Sequence, residues 1–150
     1  MKIAFGSDHG GIELKTALMK FVKEIEYIPI DCDTDKTDSA DYPDYAKSVT
    51  ELIIKNQADW GVLICKTGIG MSIAANKVHG IRAALVYSEE IALLSRRHNN
   101  ANVICFGADF TKISLAKKLL TIWLKTEFEG GRHQRRVDKI QQLEESSCEF

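Results

Sequence analysis

Residues 60–76 read Trp60-Gly61-Val62-Leu63-Ile64-Cys65-Lys66-Thr67-Gly68-Ile69-Gly70-Met71-Ser72-Ile73-Ala74-Ala75-Asn76. The first six are apolar at every position rather than at alternate ones, the mark of a strand buried on both faces. A short loop with glycines on either side of Ile69 follows, and then a helix through Asn76. Working outward, the alternation repeats. Upstream, residues 2–6 form a buried strand, and Leu14, Ala17, Leu18, Phe21, Val22 and Ile25 share one helix face. Residues 27–31 form a second strand, and the acidic stretch 32–41 is a loop. Pro43 suits the first turn of a helix carried on by Tyr45, Ala46, Val49, Leu52 and Ile53. Downstream, residues 81–87 form a fourth strand, and Ser88 caps a helix ending near Arg96-Arg97-His98. Residues 102–106 form a fifth strand, and Ile113, Ala116, Leu119, Leu120, Trp123 and Leu124 mark a fifth helix. Glu129-Gly130-Gly131 breaks the chain before a polar C-terminal helix over about 134–146. The pattern predicts one domain over 1–150, a three-layer α/β/α sandwich with about five parallel strands.

Composition narrows the function classes. The 150 residues suffice for one core, and 45% are hydrophobic against 27% charged, which excludes wholesale disorder. With 20 Lys+Arg against 21 Asp+Glu, the formal charge is −1, so bulk capture of nucleic acid is not expected. No apolar run approaches the ~18–20 residues of a membrane span. The apolar N-terminal run is cut by Asp8 and is too short for an export signal, so a cytoplasmic location is expected. Cys32, Cys65, Cys105 and Cys148 show no C-x-x-C spacing. They read as thiols of a reducing compartment rather than disulfides, a zinc ribbon or a redox pair.

In an open parallel sheet, ligands bind beyond the carboxyl ends of the strands. The loop Gly6-Ser7-Asp8-His9-Gly10-Gly11 lacks the spacing of a dinucleotide fingerprint, and no G-x-x-x-x-G-K-[ST] occurs anywhere. Met71 stands where a cysteine phosphatase loop needs arginine. The loop after Cys65 is more informative. Gly68 and Gly70 let backbone N–H groups converge at a helix start, which makes an anion site, and such amides favour a thiolate. Thr67 adds a hydroxyl that can pass a proton. The plainer reading makes Cys65 a buried thiol and the glycines packing devices. His98 lies at a helix C-terminus, where a cation suits the dipole, or it takes part in chemistry with Asn99. Arg132, His133, Arg135 and Arg136 crowd the start of the last helix, against its dipole. They form either a solvated basic turn or a clamp for phosphate. An acid–His pair, a thiol with an anion hole, a His-Asn and an arginine cluster together suit proton transfer on a small phosphorylated substrate.

These segments resemble type B ribose-5-phosphate isomerase. The resemblance rests on residues 6–11, Asp41-Tyr42-Pro43, residues 61–77, Gly80-Ile81-Arg82-Ala83, Ser95-Arg96-Arg97-His98-Asn99 and Glu129-Gly130-Gly131-Arg132-His133, in order along nearly the whole chain. It implies a Rossmann-like domain in a homodimer, sometimes paired into a tetramer, with each site shared between subunits. It implies interconversion of ribose 5-phosphate and ribulose 5-phosphate in the pentose phosphate pathway, with no metal and no organic cofactor. By motif, Cys65 would move the proton between C1 and C2, and Thr67 the proton between O1 and O2. Amides from Lys66 through Gly68, Ile69 and Gly70 would hold the enediolate. His98 would assist furanose opening and Asp8 would position ring-side hydroxyls. His9, Arg132 and Arg136 would contact phosphate, and Asn99 the sugar or enediolate end.

Two positions depart from the family pattern. Lys66 stands where the family usually has glycine, so its amide serves only if the site does not demand a positive φ. Its ammonium meets the phosphate, acts on Cys65, or points to solvent. Asp109 stands where some members carry a phosphate-binding arginine. Allose or galactose 6-phosphate remains a rival substrate, as does a non-catalytic nucleotide-binding module. A Cys–His hydrolase using Cys65 and His98 is a third alternative, without an evident orienting residue.

Overall fold

The computed structural model describes residues 1–33 and 41–146. Most of the acidic loop and Cys148 therefore lie outside the described residues. The elements are β1 (Lys2–Ser7), a 3-10 turn (His9–Gly11), α1 (Ile12–Glu24), β2 (Ile28–Asp31), α2 (Tyr42–Ile54) and β3 (Trp60–Cys65). They continue with α3 (Ile69–Ala75), β4 (Ala83–Leu85), α4 (Glu89–Arg97), β5 (Val103–Gly107), α5 (Ile113–Lys125) and α6 (Arg132–Ser146). The strands form an all-parallel sheet in the order β2-β1-β3-β5-β4. From β1 the chain steps out to β2 and then returns to the other side of β1 at β3. The loops after β1 and β3 thus part at the switch point of a Rossmann-like sheet, where a crevice opens.

The double-faced burial read from residues 60–65 has a direct structural counterpart. Ile3, Phe5, Val62, Ile64, Ile104 and Phe106 point to one face and pack against α1, α4 and α5. Ala4, Leu63, Cys65, Val103 and Cys105 point to the other and pack against α2 and α3. Period-two alternation therefore fills two apolar layers at once. Ser88 caps α4, its hydroxyl accepting from the Ile91 N–H at 3.3 Å.

Two expected boundaries are corrected. The fourth strand is shorter than 81–87, because side chains take over its backbone groups at an edge with one neighbour. Asn102 Oδ1 accepts from the Arg82 N–H at 2.8 Å, and Asn76 bonds both the N–H and the carbonyl of Ala83. The last helix starts at Arg132 rather than 134, after consecutive left-handed glycines at Gly130 (φ 67°) and Gly131 (φ 55°). Among the described residues, no helix is long and apolar enough to cross a membrane.

Candidate active site

The loops after β1 and β3 meet at the carboxyl edge of the sheet. The Asp8 N–H donates to the Ile64 carbonyl at 3.2 Å, and Asp8 Oδ1 accepts from the Gly10 N–H at 2.9 Å, capping the 3-10 turn. Gly11 lets this turn lie on β3, since a Cβ there would sit 2.7 Å from Ile64 Cγ2. Behind the loop, Asp33 Oδ2 accepts from the Ser7 N–H at 3.0 Å and receives the buried Lys15 ammonium, which also reaches Asp31 at 2.8 Å. Burial works against the Lys15 charge, but the bonds to Asp31 and Asp33 outweigh it and hold its pKa above the ordinary lysine value. The sequence reading assigned no part to Lys15, Asp31 or Asp33, because their pairing joins a helix to a strand end with no local motif.

Cys65 ends β3 with only 5% of its surface exposed, and the Gly68 N–H donates to its Sγ at 3.1 Å. That geometry depends on Gly68. Its φ is +76°, and a Cβ would lie 2.5 Å from Leu85 Cδ1 and 2.8 Å from the Phe106 carbonyl carbon. The Thr67 hydroxyl accepts from the Ile69 N–H at 3.3 Å at the start of α3. Asp8, His9, Cys65, Lys66, Thr67 and Gly70 line a cavity of about 300 Å³, with Tyr42 as a further wall. The Tyr42 ring lies so close over Gly70 that a Cβ there would meet its Cζ at 2.7 Å. Tyr42 was missed as a site residue although it sits in the Asp41-Tyr42-Pro43 motif, since a tyrosine in a first helical turn carries no chemical signature alone. The cavity lies at the small end of the ~300–1,000 Å³ of ligand sites.

Among the described residues, positive φ outside glycine is confined to Glu26, Asn56 and Asn100, so Lys66 keeps an ordinary backbone. Its exposed side chain runs over Gly10, where a Cβ would meet Lys66 Cγ at 2.7 Å. The environments of the other described thiols disfavour the thiolate. Burial, then Asp33 and Asp31, push Cys32 up to about 11, and burial pushes Cys105 well above the usual thiol range.

His98, Asn99, Arg132 and Arg136 are not part of this cavity. A helix in a parallel α/β fold runs back along the sheet, so α4 ends at the amino edge. Arg96 accordingly covers Trp60, the first residue of β3, at 4.2 Å from the ring centroid, and Trp123 at 5.3 Å. It donates to the carbonyls of Ala101 (2.5 Å) and Thr126 (3.3 Å), and burial, then Arg82, lower its pKa to about 10. His98 stacks on His133 with centroids 4.0 Å apart and planes 11° from parallel. Arg132 and Arg136 are exposed one turn apart on α6. Asn99 borders a separate space of about 460 Å³ between α6 and the β4 edge. A hydrolytic Cys65–His98 pair within one chain is therefore not formed. Ligand atoms of His98, Glu129 and His133 lie within 4.8 Å of one another. Parallel rings hold their lone pairs in parallel planes, however, and Glu129 is already paired with Arg97 at 2.9 Å, so the trio does not converge on a metal ion.

Comparison with known proteins gives a consistent family. Residues 3–140 match the model of the ribose/galactose isomerase family. Ribose-5-phosphate isomerase B of Escherichia coli is 44% identical over 144 residues, covering 96% of this chain and 97% of that protein. The structure of ribose-5-phosphate isomerase B from Clostridium thermocellum superposes with a TM-score of 0.94 at 46% identity, covering 98% of this chain and 99% of that one. The Mycoplasma genitalium ribose-5-phosphate isomerase B, solved with bound ribulose-5-phosphate, has a TM-score of 0.90 at 44% identity, with 96% of each chain covered.

Proposed function

The chain belongs to the ribose/galactose isomerase family, and we propose that it interconverts D-ribose 5-phosphate and D-ribulose 5-phosphate through an enediolate, as one isomerase domain. The observation that carries this reading is the Gly68 amide on Cys65 Sγ at 3.1 Å, in a cavity that Asp8, His9 and Thr67 also line. In the open aldose, the C2–H bond breaks toward the Cys65 thiolate and its electrons form the C1=C2 bond. The O1 carbonyl becomes an oxyanion, and the Thr67 hydroxyl passes a proton from O2 to O1. Cys65 returns its proton to C1, giving the ketose. Amides of residues 66–70 donate to the charge that develops on oxygen, usually the largest catalytic contribution. No step needs a metal or an organic cofactor.

His98 opens the furanose, Asp8 orients the ring hydroxyls and Asn99 holds the sugar end. His9, Arg132 and Arg136 take the phosphate. Because His98 and Cys65 sit at opposite edges of one chain, the complete site is shared between two copies in a homodimer, alone or paired into a tetramer. Ile69 (52% exposed) and Ile73 (57% exposed) on α3, beside the catalytic loop, and Leu143 on α6 supply apolar surface for the second copy to cover. The enzyme works in the cytoplasm, within the pentose phosphate pathway.

The test is purified protein with ribose 5-phosphate and EDTA, wild type against Cys65→Ala, with allose 6-phosphate in the same panel. Wild type forms ketose, prefers the pentose and ignores EDTA, and the variant loses about 10³-fold or more in rate. No ketose from wild type overturns the activity, and ketose at an undiminished rate from the variant overturns the base.

A further inference from the structure

We propose that His133 is a positioning residue for ring opening, the buried flat wall that holds His98 in the orientation it presents to the sugar. This rests on the reading of His98 given above and extends it to a residue with no assigned part. His133 is 2% exposed, unlike the arginines around it, and its ring lies parallel to that of His98.

The local chain is built to deliver this ring. The Glu129 N–H donates to the Arg97 carbonyl at 3.0 Å, and the Arg97 guanidinium returns to the Glu129 carboxylate at 2.9 Å. This double tether ties the turn before α6 to the end of α4, one residue before His98. Gly130 and Gly131 then reverse the chain in left-handed conformations, and the His133 N–H closes the turn on the Gly130 carbonyl at 3.0 Å. Val137, one helical turn on, is buried on the same face and anchors it. The order Glu-Gly-Gly-Arg-His thus spells a device for laying one imidazole under another.

The groups around the stack act on the buried ring. Facing them are Arg97 from α4, Glu129 from the turn, and Arg132 and Arg136 from α6. Burial, then His98 and Arg132, hold His133 below the ordinary histidine value, with Glu129 opposing. His133 Nε2 accepts from Arg132 Nε at 3.5 Å, which leaves the ring proton on Nδ1. Two imidazolium rings stacked at this distance would repel, which favours the neutral form of the buried His133 ring.

The chemistry of the two sugars supplies a clean test. Closing ribulose 5-phosphate into a furanose would need O5, which is esterified, so the ketose is already open. Exchange of its C1 proton with deuterium from solvent needs Cys65 and the phosphate clamp but no ring opening. In the full-length protein, His133→Leu should lower turnover of ribose 5-phosphate by about 10–100-fold, the scale of a small misplacement. Exchange at C1 of ribulose 5-phosphate should stay within about threefold of wild type. His133→Phe, which restores a flat ring, should recover most of the ribose turnover. If His133→Leu fails to fold, His133→Asn replaces it and the same split is expected. Equal losses in both assays, or ribose turnover unaffected by the non-planar variant, overturn the proposal. His98→Asn distinguishes the two levels of failure. If it also spares ribose turnover, the ring-opening role of His98 falls and this inference with it. If it alone impairs ribose turnover, only the role of His133 falls.

Discussion

The Cys65 pole and the His98 pole of this molecule are made of different material. At the carboxyl edge of the sheet the groups that shape the cavity are largely backbone: the Gly68 amide, the capped Asp8 turn, and glycines that admit close approach. At the amino edge they are long side chains from separate segments, with Trp60, Arg96, Trp123 and His133 converging around one helix end. Backbone geometry is set by a few consecutive residues, whereas converging side chains depend on the whole fold. Damage at the first pole should therefore cost rate, and damage at the second should cost stability as well.

The largest effect that separates the poles is expected from Gly68→Ala. An alanine at φ +76° is strained, and its Cβ would press on Leu85 and on the backbone at Phe106. Relief of that contact moves the amide away from Cys65 Sγ. Ribose turnover and C1 exchange of ribulose 5-phosphate should both fall, by about 10²–10³-fold, the scale of losing one preorganised donor at a reacting centre. Loss of ribose turnover with exchange intact would erase the distinction between the poles.

Arg96→Leu probes the other material. The guanidinium is stacked on Trp60 and bonds the Ala101 and Thr126 carbonyls, which leucine leaves without a donor. The loss should be about 2–3 kcal/mol in urea unfolding at pH 7, with C1 exchange by the folded fraction nearly unchanged. A loss under about 0.5 kcal/mol would mean that this pole does not rest on Arg96.

The same contrast explains what the sequence let one read. The strand at 60–65 was legible to the residue, because an unbroken apolar run bounded by a glycine loop has few other solutions in a chain of alternating helices. Cys65, Thr67, Gly68 and Asp8 were legible as a group because strand ends in a parallel sheet face one crevice. The ends of the fourth strand were not, since Asn76 and Asn102 replace part of its ladder with side-chain bonds that no periodicity announces. Arg96, Lys15 and the His133 stack were illegible for a related reason. Each is a polar group buried by partners far away in the chain, and sequence spacing alone would leave it on the surface.

A smaller effect concerns acid. His133 has a folded-state pKa below its unfolded value, so the unfolded chain takes up a proton that the native ring refuses. Stability should thus decline as pH falls through the ordinary histidine value of about 6.5. Replacing His133 with phenylalanine should flatten that part of the decline in denaturation curves taken from about pH 7 to about pH 5. An identical slope in wild type and variant would place this proton uptake elsewhere.

The smallest effect is expected from Lys66→Ala, and it asks whether side-chain charge contributes to the backbone-built pole at all. Lys66 keeps an ordinary φ, so alanine changes no backbone preference, and the loop geometry around Cys65 should persist. Among the described residues, its ammonium is in no ion pair, and its stem lies across Gly10 beside Asp8 and His9 at the cavity mouth. Asp109, which cannot clamp an anion, donates its N–H to the Lys66 carbonyl at 3.0 Å, so the two departures from the family pattern are neighbours. A cation there that meets the substrate phosphate through water should act like an exposed ion pair, about 0.2–1 kcal/mol. The KM of Lys66→Ala would then rise by about two- to fivefold at low salt with kcat unchanged, and the gap would close as added salt shortens the screening length. A KM equal to wild type from low to high salt would mean that the ammonium faces solvent, leaving this pole to amides, the thiol and the Asp8–His9 turn.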